Sequence, residues 1–187
     1  MLYCLMGESA SGKTTIEEEL YKLGNVDKII SYTSRPMREG EVNGYHYHFV
    51  DKEQFESMLR ENFFTEYKMF RGWYYGTNLD EIDFVNQDYV IVCTPSGFRT
   101  YIDKFGRDYI RGIYIYTQER DRLIRQLKRG DDIDEIFRRL KTDRKDFKYI
   151  HELYDVIFDN TFKSAQATAQ YINRYMETNK AGVIQHE

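Results

Sequence analysis

Gly7-Glu8-Ser9-Ala10-Ser11-Gly12-Lys13-Thr14, led in by the apolar run Leu2-Tyr3-Cys4-Leu5-Met6, is a complete G-x-x-x-x-G-K-[ST] loop. A loop of this kind needs a strand in front and a helix behind, and both are present. The apolar run is short and continuous like a buried strand. Behind the loop, Thr15-Ile16-Glu17-Glu18-Glu19-Leu20-Tyr21-Lys22-Leu23 sets Ile16, Leu20 and Leu23 at helical spacing, with Gly24 as a stop. In such a turn the backbone N–H groups point inward, the glycines leave room for phosphates, and the helix presents its positive end. The pattern predicts a nucleoside triphosphate over Gly7 through Thr15, with Lys13 at the β- and γ-phosphates and Thr14 on Mg²⁺. A purely structural glycine turn is the bland alternative, and the flanking strand and helix weigh against it.

Downstream, a strand is expected over 28–34, followed by a charged turn whose Asn43-Gly44 precedes an alternating strand over 45–50. That alternation puts Tyr45, Tyr47 and Phe49 on one face and His46 and His48 on the other. A helix over 51–60 follows with Asp51 as its N-cap, then two aromatic strands over 63–70 and 73–77 joined through Arg71-Gly72. Residues 33–78 are thus β-rich, unlike their surroundings. The core pattern resumes with a buried strand over 89–94, a helix over 97–105, a strand over 111–116, charged helices over 119–128 and 133–153, a strand over 156–158 and a helix over 164–176. Strands alternating with helices predict an α/β fold: a P-loop NTPase-type parallel sheet flanked by helices, its ligand site at the carboxyl ends of the strands. The expected division is a core (1–32, 79–124, 140–178), an inserted β-rich lobe (33–78), a helical lid (125–139) and a frayed tail (179–187).

The 187 residues suit one domain. With 31 acidic against 27 basic residues, the net charge of −4 gives no global field for nucleic acid or anionic membrane, so any basic site is local. Cys4 and Cys93 both sit in apolar runs and read as reduced core residues. No apolar run approaches the ~18 residues that span a bilayer, which points to a cytoplasmic protein. His46 and His48, two apart on one strand face, lack a third ligand nearby and do not make a metal site.

The stretch Ser31-Tyr32-Thr33-Ser34-Arg35-Pro36-Met37-Arg38-Glu39-Gly40-Glu41-Val42-Asn43-Gly44-Tyr45-His46-Tyr47-His48-Phe49-Val50 resembles the guanylate kinase signature S-x-T-[TS]-R-x-x-R-x-G-E-x-x-G-x-x-Y-x-F-V. With the P-loop, Phe64-Thr65-Glu66-Tyr67, Trp73-Tyr74-Tyr75-Gly76-Thr77 and an arginine-rich segment later, the resemblance covers most of the chain. It implies that residues 33–78 form a lobe binding a nucleoside monophosphate, and that ATP with Mg²⁺ phosphorylates GMP or dGMP. The residue chemistry agrees. A monophosphate carries nearly two charges at neutral pH, and Arg35 and Arg38 offer forked donors, with Tyr47 and Tyr75 adding hydroxyls. Guanine presents N1–H and N2–H₂ beside O6, matching a carboxylate from Glu66 and hydroxyls from Ser31 and Thr77. Adenine would leave that carboxylate unpaired, at a cost of ~1 to 3 kcal/mol. The family match also includes Glu41 and Gly76 among the monophosphate-binding positions.

Arg125, Arg129 and Arg139 match lid arginines that, in the family, close over ATP and stabilise charge on the transferring phosphoryl group. Two departures stand out. Where guanylate kinases carry a D-x-D-like acid pair after the strand over 89–92, this chain has Val92 and Thr94, and a family Asn-Asp appears as Asp159-Asn160. Two alternatives follow from these: a P-loop kinase of the same fold acting on another phosphorylated small molecule, or a catalytically weak guanylate-kinase-like binding module. Such modules typically lose the P-loop lysine, which is kept here as Lys13.

Overall fold

A computed structural model describes residues 1–180 apart from residue 85. β1 (Leu2–Met6) lies at the centre of a five-stranded sheet ordered β2-β7-β1-β8-β9, with β2 Asp27–Lys28, β7 Tyr89–Val92, β8 Ile110–Tyr116 and β9 Val156–Asp159. Every pairing in it is parallel, with Cys4 of β1 opposite Ile91 of β7 on one side and Gly112 of β8 on the other. Because side chains alternate across a strand, β1 feeds two cores. Leu2, Cys4 and Met6 pack with Phe98 and Tyr101 of α3 (Pro95–Phe105), while Tyr3 and Leu5 pack with Ile16 and Leu20 of α1 (Lys13–Lys22) and Ile172 and Met176 of α6 (Ala165–Lys180). This two-sided burial explains why β1 is apolar at every position.

A second sheet, ordered β4-β3-β6-β5, is built from β3 Tyr32–Thr33, β4 His48–Phe49, β5 Glu66–Phe70 and β6 Trp73–Thr77. α2 (Lys52–Arg60) packs on it: Phe55 stacks between Phe64 (4.4 Å) and Tyr74 (5.1 Å). Asp51 caps α2 as expected, in a capping box completed by Gln54. α4 (Glu119–Lys128) and α5 (Ile133–Asp146) follow β8 and meet at residues 129–132.

Several local expectations are corrected. The strand over 28–34 is split, β2 joining the large sheet and β3 the small one, so residues 29–31 carry the chain between them. The strand over 45–50 shrinks to two residues because Tyr45 and His46 turn back, both N–H groups donating to the Val42 carbonyl (3.2 and 3.1 Å), and the Phe49 N–H is taken by Asn43 Oδ1 (2.8 Å). The helix over 133–153 stops at Asp146, and the chain turns so that Phe147 and Tyr154 stack on Tyr114. α6 runs on to Lys180 and absorbs the first two residues of the expected frayed tail, the rest of which, 181–187, lies outside the described residues. Both cysteines are free, but only Cys4 is a core residue. Cys93 is half-buried just beyond β7 and lines a cleft. Among the described residues no helix is long and apolar enough to cross a membrane.

Candidate active site

The loop after β1 is held by contacts that only its glycines allow. Gly12 has φ +103°, and a Cβ there would lie 2.6 Å from Asn160 Nδ2, while one at Gly7 would lie 2.6 Å from the Ile115 carbonyl. Asn160, buried behind the loop, donates to the Ser11 carbonyl (2.8 Å) and accepts from the Thr168 hydroxyl (2.8 Å). The reversed order Asp159-Asn160 therefore places an amide as a brace for the loop. Lys13 Nζ folds back onto the Gly7 (2.6 Å) and Glu8 (3.0 Å) carbonyls. Burial brings the Lys13 ammonium down to about 8, against the pull of Asp143 and Glu8. Thr14 and Thr15 are exposed in the first turn of α1. The Ser11 hydroxyl is buried without a partner. Ser9 donates its N–H (2.9 Å) and hydroxyl (3.2 Å) to Asp143 of α5, while Glu8 accepts from the Tyr114 hydroxyl (2.9 Å). Arg122 of α4 lies against both acids, 3.8 Å from Glu8 and 3.5 Å from Asp143.

From this loop two hollows of about 350 and 320 Å³ extend toward the second sheet and share Ser31, Tyr47, Tyr75 and Val92. The first runs from Gly7, Ser9 and Lys13 to Glu66, Gly76 and Thr77, under Arg138, Arg139 and Asp143 of α5. The second runs from Thr14 to Arg35, Arg38 and Glu41. Glu41 grips the Arg35 guanidinium with both oxygens (2.9 and 2.8 Å) and accepts the Arg38 N–H (2.7 Å). The Arg35 head also lies over the Tyr47 ring at 5.7 Å. Arg38 is exposed at the rim. At the far end Ser31 and Thr77 hydroxyls pair at 2.9 Å, and Glu66 Oε1 accepts from the Tyr101 hydroxyl at 3.2 Å. Burial raises the Glu66 carboxyl, opposed by the Tyr101 and Thr77 hydroxyls and by Lys68.

The three sequence-selected lid arginines part company. Arg139 lines the cleft, held by Glu135 (2.7 Å) and Asp131 (2.9 Å). Arg125 instead clamps the back of the loop, donating to the Ala10 (3.3 Å), Ser11 (3.2 Å) and Asn160 (2.7 Å) carbonyls. Arg129 is exposed at the α4–α5 turn and paired with Asp131 (2.9 Å), outside both hollows. Arg138, which the sequence reading passed over, lines the cleft beside Arg139, held by Glu135 (2.7 Å) and lying over the Phe70 ring at 4.6 Å. Glu135 is pulled down to about 2, first by Arg138. Glu17, Tyr101 and Asp143 were passed over too. Only Glu17 left a signal, one helical turn beyond Thr14.

A family model for guanylate kinase matches residues 1–178. The chain belongs to the guanylate kinase family. It is 31% identical over 179 residues to a guanylate kinase of Helicobacter hepaticus, covering 92% of this chain and 89% of the relative. With a guanylate kinase of Neisseria gonorrhoeae it shares 34% over 170 residues, 84% of this chain and 77% of the relative. In fold it is similar to the crystal structure of guanylate kinase from Anaplasma phagocytophilum, with a TM-score of 0.75 and 21% identity, covering 96% of this chain and 85% of that one. Against the D-x-D acids expected of the family, Val92 lines both hollows and Thr94 caps α3, accepting the Gly97 N–H at 3.2 Å.

Proposed function

We propose that this guanylate kinase transfers the γ-phosphate of ATP to GMP or dGMP, giving ADP and GDP or dGDP. The observation that carries the reading is one continuous cleft with Lys13 at one end, Arg35, Arg38 and Tyr75 along its side, and Glu66 with Ser31 and Thr77 at the other. Its anion-binding groups and its base-reading groups thus line different parts of the two hollows that meet at Ser31, Tyr47, Tyr75 and Val92. The 33–78 segment serves as the monophosphate lobe and 125–139, which ends in Arg138 and Arg139, as the lid.

The acceptor phosphate is already mostly ionised at neutral pH and needs no general base. Catalysis is positioning and charge neutralisation. Arg35, oriented by Glu41, and Arg38 hold the acceptor phosphate, with the Tyr47 and Tyr75 hydroxyls as further donors. Lys13 leaves its two loop carbonyls to meet the β- and γ-phosphates, whose charge restores the proton that burial loosens. Arg138 and Arg139 stand over the same hollow, where guanidiniums stabilise charge spreading over the equatorial oxygens.

Mg²⁺ suits the residues present: an exposed Thr14 hydroxyl beside a phosphate loop matches an ion that keeps waters and phosphate oxygens as ligands. Bound at Thr14, it would neutralise phosphate charge. A cytoplasmic location belongs to the same reading, supported by both cysteines being free. The reading is tested by coupled ADP release with Mg·ATP and GMP, dGMP, AMP, CMP and UMP in turn. Turnover confined to the guanine nucleotides is expected, and transfer to none of them, or to another base equally, overturns it.

A further inference from the structure

The buried base of the cleft holds a contact that the family signature does not contain. Tyr101, on α3, has no exposed surface, and its hydroxyl donates to Glu66 Oε1 at 3.2 Å, with Thr77 beside it. Gly97 lies one helical turn earlier on the same face of α3, and a Cβ there would come within 3.7 Å of Glu66 Oε2. One helix of the large sheet thus brings a hydroxyl donor and a close backbone wall to a carboxylate presented by β5 of the small sheet. A glutamate's terminal torsion is broad, so a strand alone does not fix the plane of its carboxylate. Reading N1–H and N2–H₂ of a guanine requires that plane to coincide with the base.

We propose that Tyr101 is a positioning residue for base choice: its hydroxyl holds the Glu66 carboxylate in the plane that accepts both guanine donors. This rests on the reading of Glu66 given above. It makes specificity depend on α3 as well as on the lobe. A buried phenol needs an acceptor, and a carboxylate oxygen keeps a second lone pair for the base after taking the phenol.

The test is Tyr101→Phe, which keeps the ring and its packing and removes only the donor, in the full-length protein with melting temperature measured alongside. The KM for GMP should rise about tenfold, with kcat within about twofold and the KM for ATP unchanged. The preference for GMP over AMP should narrow. Loss of a donor to the ionised form raises a carboxyl, so the acid limb of kcat/KM for GMP should move to higher pH. Lys68 on the same strand, Cys93 beyond β7 and Arg138 and Arg139 of α5 share the cleft, and all stay in place in the variant. The titration of GMP itself is common to both proteins and cancels in the comparison.

Glu66→Gln and the double variant complete a cycle. A residue that acts only through Glu66 adds nothing to the GMP KM once Glu66 is gone, whereas a merely structural role adds its full effect. If Glu66→Gln relaxes base choice but Tyr101→Phe shows wild-type KM, preference and acid limb, the positioning role is overturned and the base reading stands. If Glu66→Gln leaves the preference for GMP over AMP intact, the base reading fails and the positioning role fails with it.

Discussion

Replacing Glu17 by glutamine should stabilise the protein at about pH 8 and leave it nearly unchanged at about pH 5. Glu17 is a buried carboxyl of α1 at the wall of the second hollow, and its Oε1 accepts the Val92 N–H at 3.1 Å. Desolvation raises it from 4.5 to about 7, only partly countered by Lys28 and the Val92 N–H. Between those two values the folded protein binds a proton there that the unfolded chain does not, so stability falls as pH rises through the window. A rise from 4.5 to about 7, at about 1.4 kcal/mol per pH unit, makes the ionised carboxylate cost of the order of 3 kcal/mol above pH 7. Glutamine keeps the acceptor for Val92 and removes the charge. Urea unfolding of both proteins at about pH 5 and about pH 8 reads the difference directly. The gap between variant and wild type should open by a few kcal/mol over that range. Parallel pH dependences would refute the desolvation argument, because they would mean that Glu17 ionises in the folded state as freely as in water.

Lys13→Ala should lower turnover by at least roughly a hundredfold while calorimetric GMP titration stays at the wild-type affinity, since the ammonium serves the triphosphate end of the cleft. Asp143→Asn removes a carboxylate from the Ser9 N–H and hydroxyl and should tighten ATP binding about threefold to tenfold without changing GMP affinity. Unchanged or weaker ATP binding in a folded variant would show that the acid does not compete with phosphate. Glu135, held at about 2 by Arg138 and Arg139, contributes stability that is complete above pH 4.5 and is lost as pH falls from there toward about 2. Glu135→Gln should therefore flatten the acid limb of stability between about pH 4.5 and 2, followed by circular dichroism, and raise the KM for ATP as Arg138 and Arg139 lose their anchor.

What the sequence made legible was whatever is local. The strand, glycine loop and helix around Lys13 occupy consecutive residues, so periodicity and side-chain type suffice, and the candidate phosphate and base groups from Ser31 to Thr77 sit in one unbroken segment that the family signature marks. What it hid is created by tertiary contact. Ser9 meets Asp143 across 134 residues, and Val92 meets Glu17 across 75. Arg125 reads as a lid residue by family resemblance, but its neighbours in space are loop carbonyls, and Arg138 takes a place in the cleft that the resemblance assigns to its neighbour alone. The same distinction bears on the missing acids after β7. Read along the strand, Val92 and Thr94 suggest a cleft stripped of carboxylates there, and Thr94 is explained by its cap on α3. Yet Glu17 from α1 reaches the Val92 backbone, and Asp143 from α5 lines the hollow that Val92 and Thr94 also line. Carboxyl groups return to that end of the cleft from two helices, although burial holds Glu17 at about 7, so counting acids along one segment misjudges the chemistry of the site.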